Sequence, residues 1–241
     1  MKSMQAYLMH SKKMKTTDKT ALIIAPHPDD ETFGCAGLIA RKIAEGARVY
    51  VVFLTCGEKS LPDETADTVM KNRQISALKA TKALGVDEEY LYWLSLPDGK
   101  IPRKGEAEFR QALSELSKIV KKNGIREIYA PGSFEGWPDH PAACEMGVEV
   151  AENADGPVEL FLYWVWAWYY VGLWQAPSMQ RKNLGLLPID DVYDKKEEAM
   201  QAYFSAKTPK GDLYIGHLPP VFLKAFAWRY ELFEKVDLHE V

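Results

Sequence analysis

The sequence predicts an α/β fold, a mostly parallel sheet with helices on both faces. Three observations predict it. Short apolar, β-branched runs alternate with longer stretches of helical spacing. Three of the helical stretches close on a stop signal, Gly46, Gly85 or Asn123-Gly124. The composition is that of an ordinary globular chain, 47% hydrophobic and 27% charged over 241 residues, with no repeat and no low-complexity tract.

The elements follow in order. Thr20–Ala25 is an apolar run that ends at Pro26, and Thr32–Glu45 has helical spacing through Leu38, Ile39 and Ile43. Arg48–Thr55 is a β-branched run, and Asp67–Leu84 is helical. Glu89–Leu96 reads as a strand closed by the turn signal Pro97-Asp98-Gly99. Glu106–Lys122 is a helix with Phe109, Leu113, Leu116 and Val120 on its apolar side. Arg126–Pro131 is the next strand and Pro141–Ala151 the next helix. This βα rhythm is what makes the sheet parallel and covers both of its faces.

The rest is less regular. Residues 1–19 are polar and Lys-rich, without a secretory apolar stretch, and are expected as a flexible extension of a single domain spanning 1–241. Residues 158–241 are expected to pack on the same core. Val158–Trp174 is apolar but falls short of the roughly 20 residues that cross a bilayer as a helix. Its Trp and Tyr content favours a buried strand, or two joined by a bend, with Trp164, Trp166 and Trp168 on one face. Beyond it come a loop (Ala176–Pro188), a helix (Val192–Ser205) and a final helix (Pro220–Phe233).

Charge and cysteine usage exclude some classes. The net charge of −4 argues against a nucleic-acid partner, and no transmembrane segment is expected. Cys35, Cys56 and Cys144 are too few and odd in number for a disulfide framework, which fits a cytoplasmic protein. Cys35 and Cys144 read as buried packing residues, and His10 and His239 as solvated terminal residues. A homo-oligomer is compatible with the sequence.

In a parallel sheet, ligands sit beyond the C-terminal ends of the strands. That rule selects the loops Pro26–Glu31, Gly57–Ala66, Pro97–Lys104 and Pro131–His140. Two of them pair His with Asp. In Ala25–Glu31, one imidazole and three carboxylates crowd into five positions after a strand. Such like charges repel, and a cation is the simplest compensation, helped by the following helix N-terminus. His27 with a carboxylate two or three residues on suits Zn²⁺, with Mn²⁺ or Fe²⁺ as alternatives. Taken alone, the cluster also matches an acidic first helix turn beside a surface His. In Gly136–Pro141, Asp139 and His140 occupy another strand-to-helix loop, where alone they match an N-cap Asp beside a His. Together the two clusters offer two imidazoles and a carboxylate with an open position, the catalytic arrangement of zinc.

The chain resembles the PIG-L/LmbE-like family of zinc-dependent N-deacetylases. The resemblance rests on Pro26–Ala40 (PHPDDETFGCAGLIA), Leu54–Glu58 (LTCGE), Arg73 before Ala83–Val86 (ALGV), Leu96–Gly99 (LPDG), Pro138–Ala143 (PDHPAA), the Lys196–Ser205 helix and Tyr230–Phe233 (YELF). It implies a Rossmann-like fold, His27, Asp30 and His140 as zinc ligands, and Asp29 as general base. It implies hydrolysis of the acetamide of an N-acetylated amino sugar or glycoconjugate of the N-acetylglucosamine type, releasing acetate. A catalytically silent sugar- or glycolipid-binding homologue and an amidase for longer acyl groups are the competing readings.

The sequence departs from the family's H-x-D-H motif: Trp137 stands where its first His would be. Indole can donate one hydrogen bond but cannot exchange a proton near neutrality. Losing an oxyanion donor typically costs about 10²–10³ in rate. Either His217 replaces the imidazole in space, or the enzyme runs on zinc and Asp29 while Trp137 shapes a sugar pocket, or catalysis is lost. Ser76 stands where a Glu is common, and Tyr203 and Ala206 where a His and a Gln are common. By the same resemblance, Arg73 and Asp98 face the sugar; a solvated helix Arg and ordinary turn chemistry are the plainer alternatives. Glu58 and Asp139 are expected to support the site from behind.

Overall fold

The computed structural model describes residues 5, 8, 9, 11–170 and 183–238. The strands are β1 (Lys12–Lys13), β2 (Ala21–Ala25), β3 (Val49–Phe53), β4 (Leu91–Trp93), β5 (Glu127–Pro131), β6 (Glu159–Tyr163), β7 (Leu184–Pro188) and β8 (Tyr230–Val236). They form one sheet in the order β1-β7-β8-β6-β5-β2-β3-β4. Only the pairings of β8 with β6 and β7 are antiparallel. The helices are α1 (Asp30–Ala44), α2 (Ala66–Ala83), α3 (Ala107–Asn123), α4 (Asp139–Glu152), α5 (Ala167–Tyr170), α6 (Tyr193–Phe204) and α7 (Pro220–Phe226).

Strand β2 shows why the sheet is covered twice. Ala21, Ile23 and Ala25 enter one core with Phe33, Leu38 and Tyr203, while Leu22 and Ile24 enter the other with Leu116, Met146 and Val150. Alternate residues point to opposite faces, so a strand buried on both has no polar position to spare. From central β2 the chain steps out to β3 and β4, then crosses back to β5 and β6 on the other side. The connections therefore diverge above the C-terminal ends of β2 and β5, and a crevice opens there.

Helix α1 lies unusually low on the sheet. A Cβ on Gly34 would sit 2.3 Å from Tyr163 Cδ2, and one on Gly37 would sit 2.3 Å from Ile189 Cγ2. Only glycine allows that approach. A buried ion pair pins the same stretch: Glu231 accepts the N–H groups of Gly37 and Leu38, both at 2.8 Å. Lys196 Nζ lies 2.6 Å from Glu231 Oε1 and donates to the Phe33 carbonyl at 3.1 Å.

Several expectations for the last third are corrected. The loop expected over Ala176–Pro188 contains β7, while residues 171–182 lie outside the described residues. The expected final helix stops at Phe226, and its second half is β8. Strand β8 lies between β6 and β7 with Glu231, Leu232 and Phe233 all buried, so it carries no alternating pattern to read. Trp164, Trp166 and Trp168 do not share a strand face, because β6 ends at Tyr163 and α5 begins at Ala167. In the expected N-terminal extension, β1 pairs with β7 and Lys42 Nζ donates to the carbonyls of Thr17 and Lys19, both at 2.9 Å. Cys35, Cys56 and Cys144 are unpaired and buried; His10 and His239 fall outside the described residues. No helix among the described residues is long and apolar enough to cross a membrane.

Candidate metal centre

The C-terminal end of β2 delivers the first cluster. The chain turns sharply at Asp29, whose φ of 139° and ψ of −28° lie where side-chain-bearing residues are strained. Such a conformation costs of order 1–3 kcal/mol and persists only where its surroundings enforce it. Here the Asp29 N–H donates to Glu31 Oε2 at 2.9 Å. Arg73, from α2, donates through Nη2 to the Pro28 carbonyl at 2.7 Å and reaches Asp29 Oδ2 at 3.1 Å. Gly57 makes room for this guanidinium: at its φ of +65° a Cβ would lie 2.4 Å from Arg73 Cζ.

Asp30 opens α1 and faces both imidazoles. Its Oδ2 accepts the His27 N–H at 3.0 Å and lies 3.1 Å from His27 Nδ1. Its Oδ1 lies 3.4 Å from Nε2 of His140, which α4 brings in from the end of β5. One ligand atom from each of His27, Asp30 and His140 lies within 4.8 Å of the others, and all three residues are buried. Both ring nitrogens of His140 are buried without a hydrogen-bond partner. An unsatisfied buried polar group costs about 1–3 kcal/mol, and native structures rarely leave one unexplained. A divalent cation held by one nitrogen each of His27 and His140 and one oxygen of Asp30 would give a His140 nitrogen its partner and balance the acids. The group could hold a metal ion; its donor types suit zinc, iron or manganese alike.

The far side of His27 is held separately. Its Nε2 lies 3.0 Å from Asp139 Oδ2 and 3.3 Å from Asp98 Oδ1. These acids fix each other's loops. Asp139 accepts the N–H groups of Gly99 (2.7 Å) and Ile101 (3.1 Å), so it is not the N-cap that its position suggested. Asp98 accepts the Lys59 N–H at 2.6 Å, and its own N–H goes to Glu58 Oε1 at 3.0 Å. An Nε2 proton directed at Asp139 and Asp98 would leave the His27 Nδ1 lone pair for a cation beside Asp30.

Burial and charge set the electrostatics. Burial pushes Asp29 up to about 8 against the pull of Arg73. Burial opposes ionisation of Asp30, but both imidazoles outweigh it and hold that carboxyl well below its usual range. Burial opposes the charge on His140, yet Asp30 and Glu135 raise it to about 9. Burial pushes Glu31 to about 7, although Thr32 and Tyr203 donate to it, Tyr203 at 2.7 Å.

The structure thus brings together His27, Asp29, Asp30, Arg73, Asp98, Asp139 and His140, with half-buried Glu58 behind them. Arg73 is 4% exposed and turned to Asp29, so it is not a solvated helix residue. Two expected site residues have exposed side chains, although the Trp137 carbonyl accepts the His140 N–H at 3.0 Å. Trp137 is 45% exposed, its ring stacked on Trp166 at 6.0 Å and 19°. His217 is exposed on the loop before α7. Tyr203, where a His is common, serves Glu31 instead. Sequence reasoning missed Glu135, which is fully buried with Oε2 3.5 Å from His140 Nδ1. A lone acid in a loop gives no signal of a partner outside its own segment.

A family profile described as PIG-L, GlcNAc-PI de-N-acetylase, matches residues 22–151. The chain belongs to the PIG-L family. One relative is the 1D-myo-inositol 2-acetamido-2-deoxy-alpha-D-glucopyranoside deacetylase of Corynebacterium diphtheriae, 30% identical in an alignment of 157 positions, gaps included, that covers 57% of this chain and 54% of the relative. Another is the diacetylchitobiose deacetylase of Thermococcus kodakarensis, 28% identical over 58% of this chain and 51% of its own. The chain spans about half the length of these curated relatives. In fold it is similar to the N,N'-diacetylchitobiose deacetylase of Pyrococcus horikoshii, with a TM-score of 0.68, 21% identity, and coverage of 98% of this chain and 87% of that one.

Proposed function

We propose that this PIG-L family protein is a metal-dependent hydrolase that removes the acetyl group from an N-acetylated amino sugar or glycoconjugate. The observation that carries the reading is the buried His27–Asp30–His140 donor group with Asp29 strained into place beside it. His27 and His140 through nitrogen and Asp30 through oxygen are the ligands, and zinc is the metal we favour. When bound, the cation acidifies a water molecule toward a pKa of ~7 and polarises the amide carbonyl.

The remaining work falls to side chains. Asp29 accepts the attacking water's proton at a carboxylate oxygen and returns it to the departing nitrogen, because an amide anion is too basic to leave. Arg73 fixes the direction of that carboxylate through the 3.1 Å contact. Asp98 and Asp139 hold His27 by Nε2, Glu58 supports Asp98, and the Asp98 turn faces the sugar. The cytoplasm is the compartment we favour, since all three cysteines are unpaired.

The test is acetate and primary-amine release from N-acetylglucosamine conjugates by the zinc-loaded chain. Asp29→Asn should lower turnover by about 10²–10⁴ with zinc content unchanged. A second reading, a silent sugar-binding homologue, is favoured by one observation: position 137 carries an indole, which cannot exchange a proton near neutrality. It predicts tight sugar binding without acetate release across a broad panel. If position 137 has only lost an electrophile, Trp137→His should raise kcat; an unchanged or lower kcat means that the indole has a role of its own or that His217 already serves.

A further inference from the structure

Glu135 has no place in the chemistry above, yet it is among the most completely buried charges in the molecule. It lies on the loop after β5, five positions ahead of His140, and is 0% exposed. No lysine or arginine pairs with it among the described residues. Its carboxylate is satisfied by the main chain of a distant segment. The Val165 N–H donates to both oxygens at 3.0 and 3.1 Å, and the N–H groups of Trp166 and Ala167 donate to Oε2, the latter at 3.2 Å. The same Oε2 lies 3.5 Å from His140 Nδ1.

These contacts put one carboxylate between two parts of the site. On one side is His140. The two are not hydrogen-bonded, but a carboxylate 3.5 Å from Nδ1 favours a proton on that nitrogen, which would leave Nε2 free for a cation beside Asp30. On the other side is the turn that carries Trp166. That indole stacks on Trp137 at 6.0 Å and meets Phe222 at 4.3 Å. Trp137 thereby has one face against another ring and is 45% exposed, three residues from a candidate metal ligand. An indole held edge and back in this way offers a flat apolar surface, and C–H faces of a pyranose ring pack on such surfaces by burial of apolar area.

We infer that Glu135 is a positioning residue that ties His140 to the aromatic wall Trp137–Trp166, and that this wall receives the ring of the substrate sugar. The link to His140 stands on geometry alone; the role of the wall rests on the deacetylase reading. Glu135 touches neither substrate nor reacting atoms. Its loss acts at two distances, through the imidazole on metal affinity and through Trp166 on sugar affinity.

The experiment compares Glu135→Gln, Glu135→Asp, Trp137→Ala and Lys42→Met in the full chain. Zinc affinity is measured by chelator competition, and KM and kcat with an N-acetylated glucosamine conjugate. Lys42→Met is a control for general destabilisation, because Lys42 lies at the far end of α1. Glu135→Gln should weaken zinc binding about 10- to 100-fold, the usual effect of removing a ligand's orienting partner, and should also raise KM. Glu135→Asp keeps the charge but withdraws the carboxylate, and should show a smaller loss; it serves if the Gln variant does not fold. Trp137→Ala should leave zinc affinity within twofold and raise KM more than it lowers kcat. Zinc affinity unchanged in both Glu135 variants, or lost equally in Lys42→Met, would overturn the link to His140. An unchanged KM in Trp137→Ala would overturn the wall. Absence of turnover in the unmodified chain would sink the deacetylase reading while leaving the zinc comparison intact.

Discussion

The two ends of α1 treat buried charge in opposite ways. At its C-terminal end, Lys42 is 0% exposed, with Nζ 2.6 Å from Glu127 Oε2 and hydrogen bonds to two carbonyls. Glu127 in turn accepts from Thr17 at 2.7 Å and Tyr129 at 2.9 Å. Cation and anion cancel, and every donor has an acceptor. At the N-terminal end, Asp29, Asp30, Glu31, Asp98, Glu135 and Asp139 are all buried around one guanidinium and two imidazoles, one of which has no hydrogen bond. A closed charge pair serves the fold. A surplus of one sign, with an unpartnered nitrogen inside it, is unfinished by its own residues and calls for a cation.

Four experiments would break or sharpen that contrast. The largest effect is expected from His140→Ala, which should abolish stoichiometric zinc; full zinc content in the purified variant would refute the ligand set. Next is Lys42→Met. It leaves Glu127 buried and unpaired and should cost about 3–5 kcal/mol in denaturant unfolding, with zinc affinity unchanged. A loss below about 1 kcal/mol would mean that the closed end is not closed. Third, zinc at roughly 100 to 1,000 times its Kd should stabilise the unmodified chain by about 2.7–4.1 kcal/mol and His140→Ala hardly at all. Equal stabilisation of both would place the ion elsewhere. The smallest effect is at Gly57→Ala. Its backbone strain and its collision with Arg73 should cost about 1–3 kcal/mol and lower kcat by shifting Asp29. Wild-type kcat would show that Arg73 does not aim that carboxylate.

Much of this contrast was legible in the sequence, and the missing parts share a cause. The doubly covered strands, the helices between them and the meeting of the two His-Asp loops follow from local patterns and the rule for parallel sheets, while the choice of Asp30 beside His27 and His140 came from the family resemblance. Strand β7 was missed because its five residues begin with Leu184-Gly185 and end at Pro188, a composition that reads as loop. Strand β8 was missed because burial on both faces erased its alternation, and because Glu231 looks like a surface acid until Gly37 and Leu38 are brought to it. Arg73 was named only through the resemblance and as sugar-facing, and Glu135 was missed, because both are ordinary letters in their own segments. What makes them notable is a partner 44 positions away for one and 30 for the other, across the crevice.

The glycines of α1 bear on any effort to transplant this loop. Residues 34 and 37 have no chemistry to contribute, yet their missing methyl groups let the helix rest on Tyr163 and Ile189. A scaffold with alanine at either position would hold the helix further from its sheet, and Asp30, rigidly joined to it, would rise out of reach of the imidazole arriving from β5. Copying the donor residues into a new protein therefore also requires copying the two places where nothing projects.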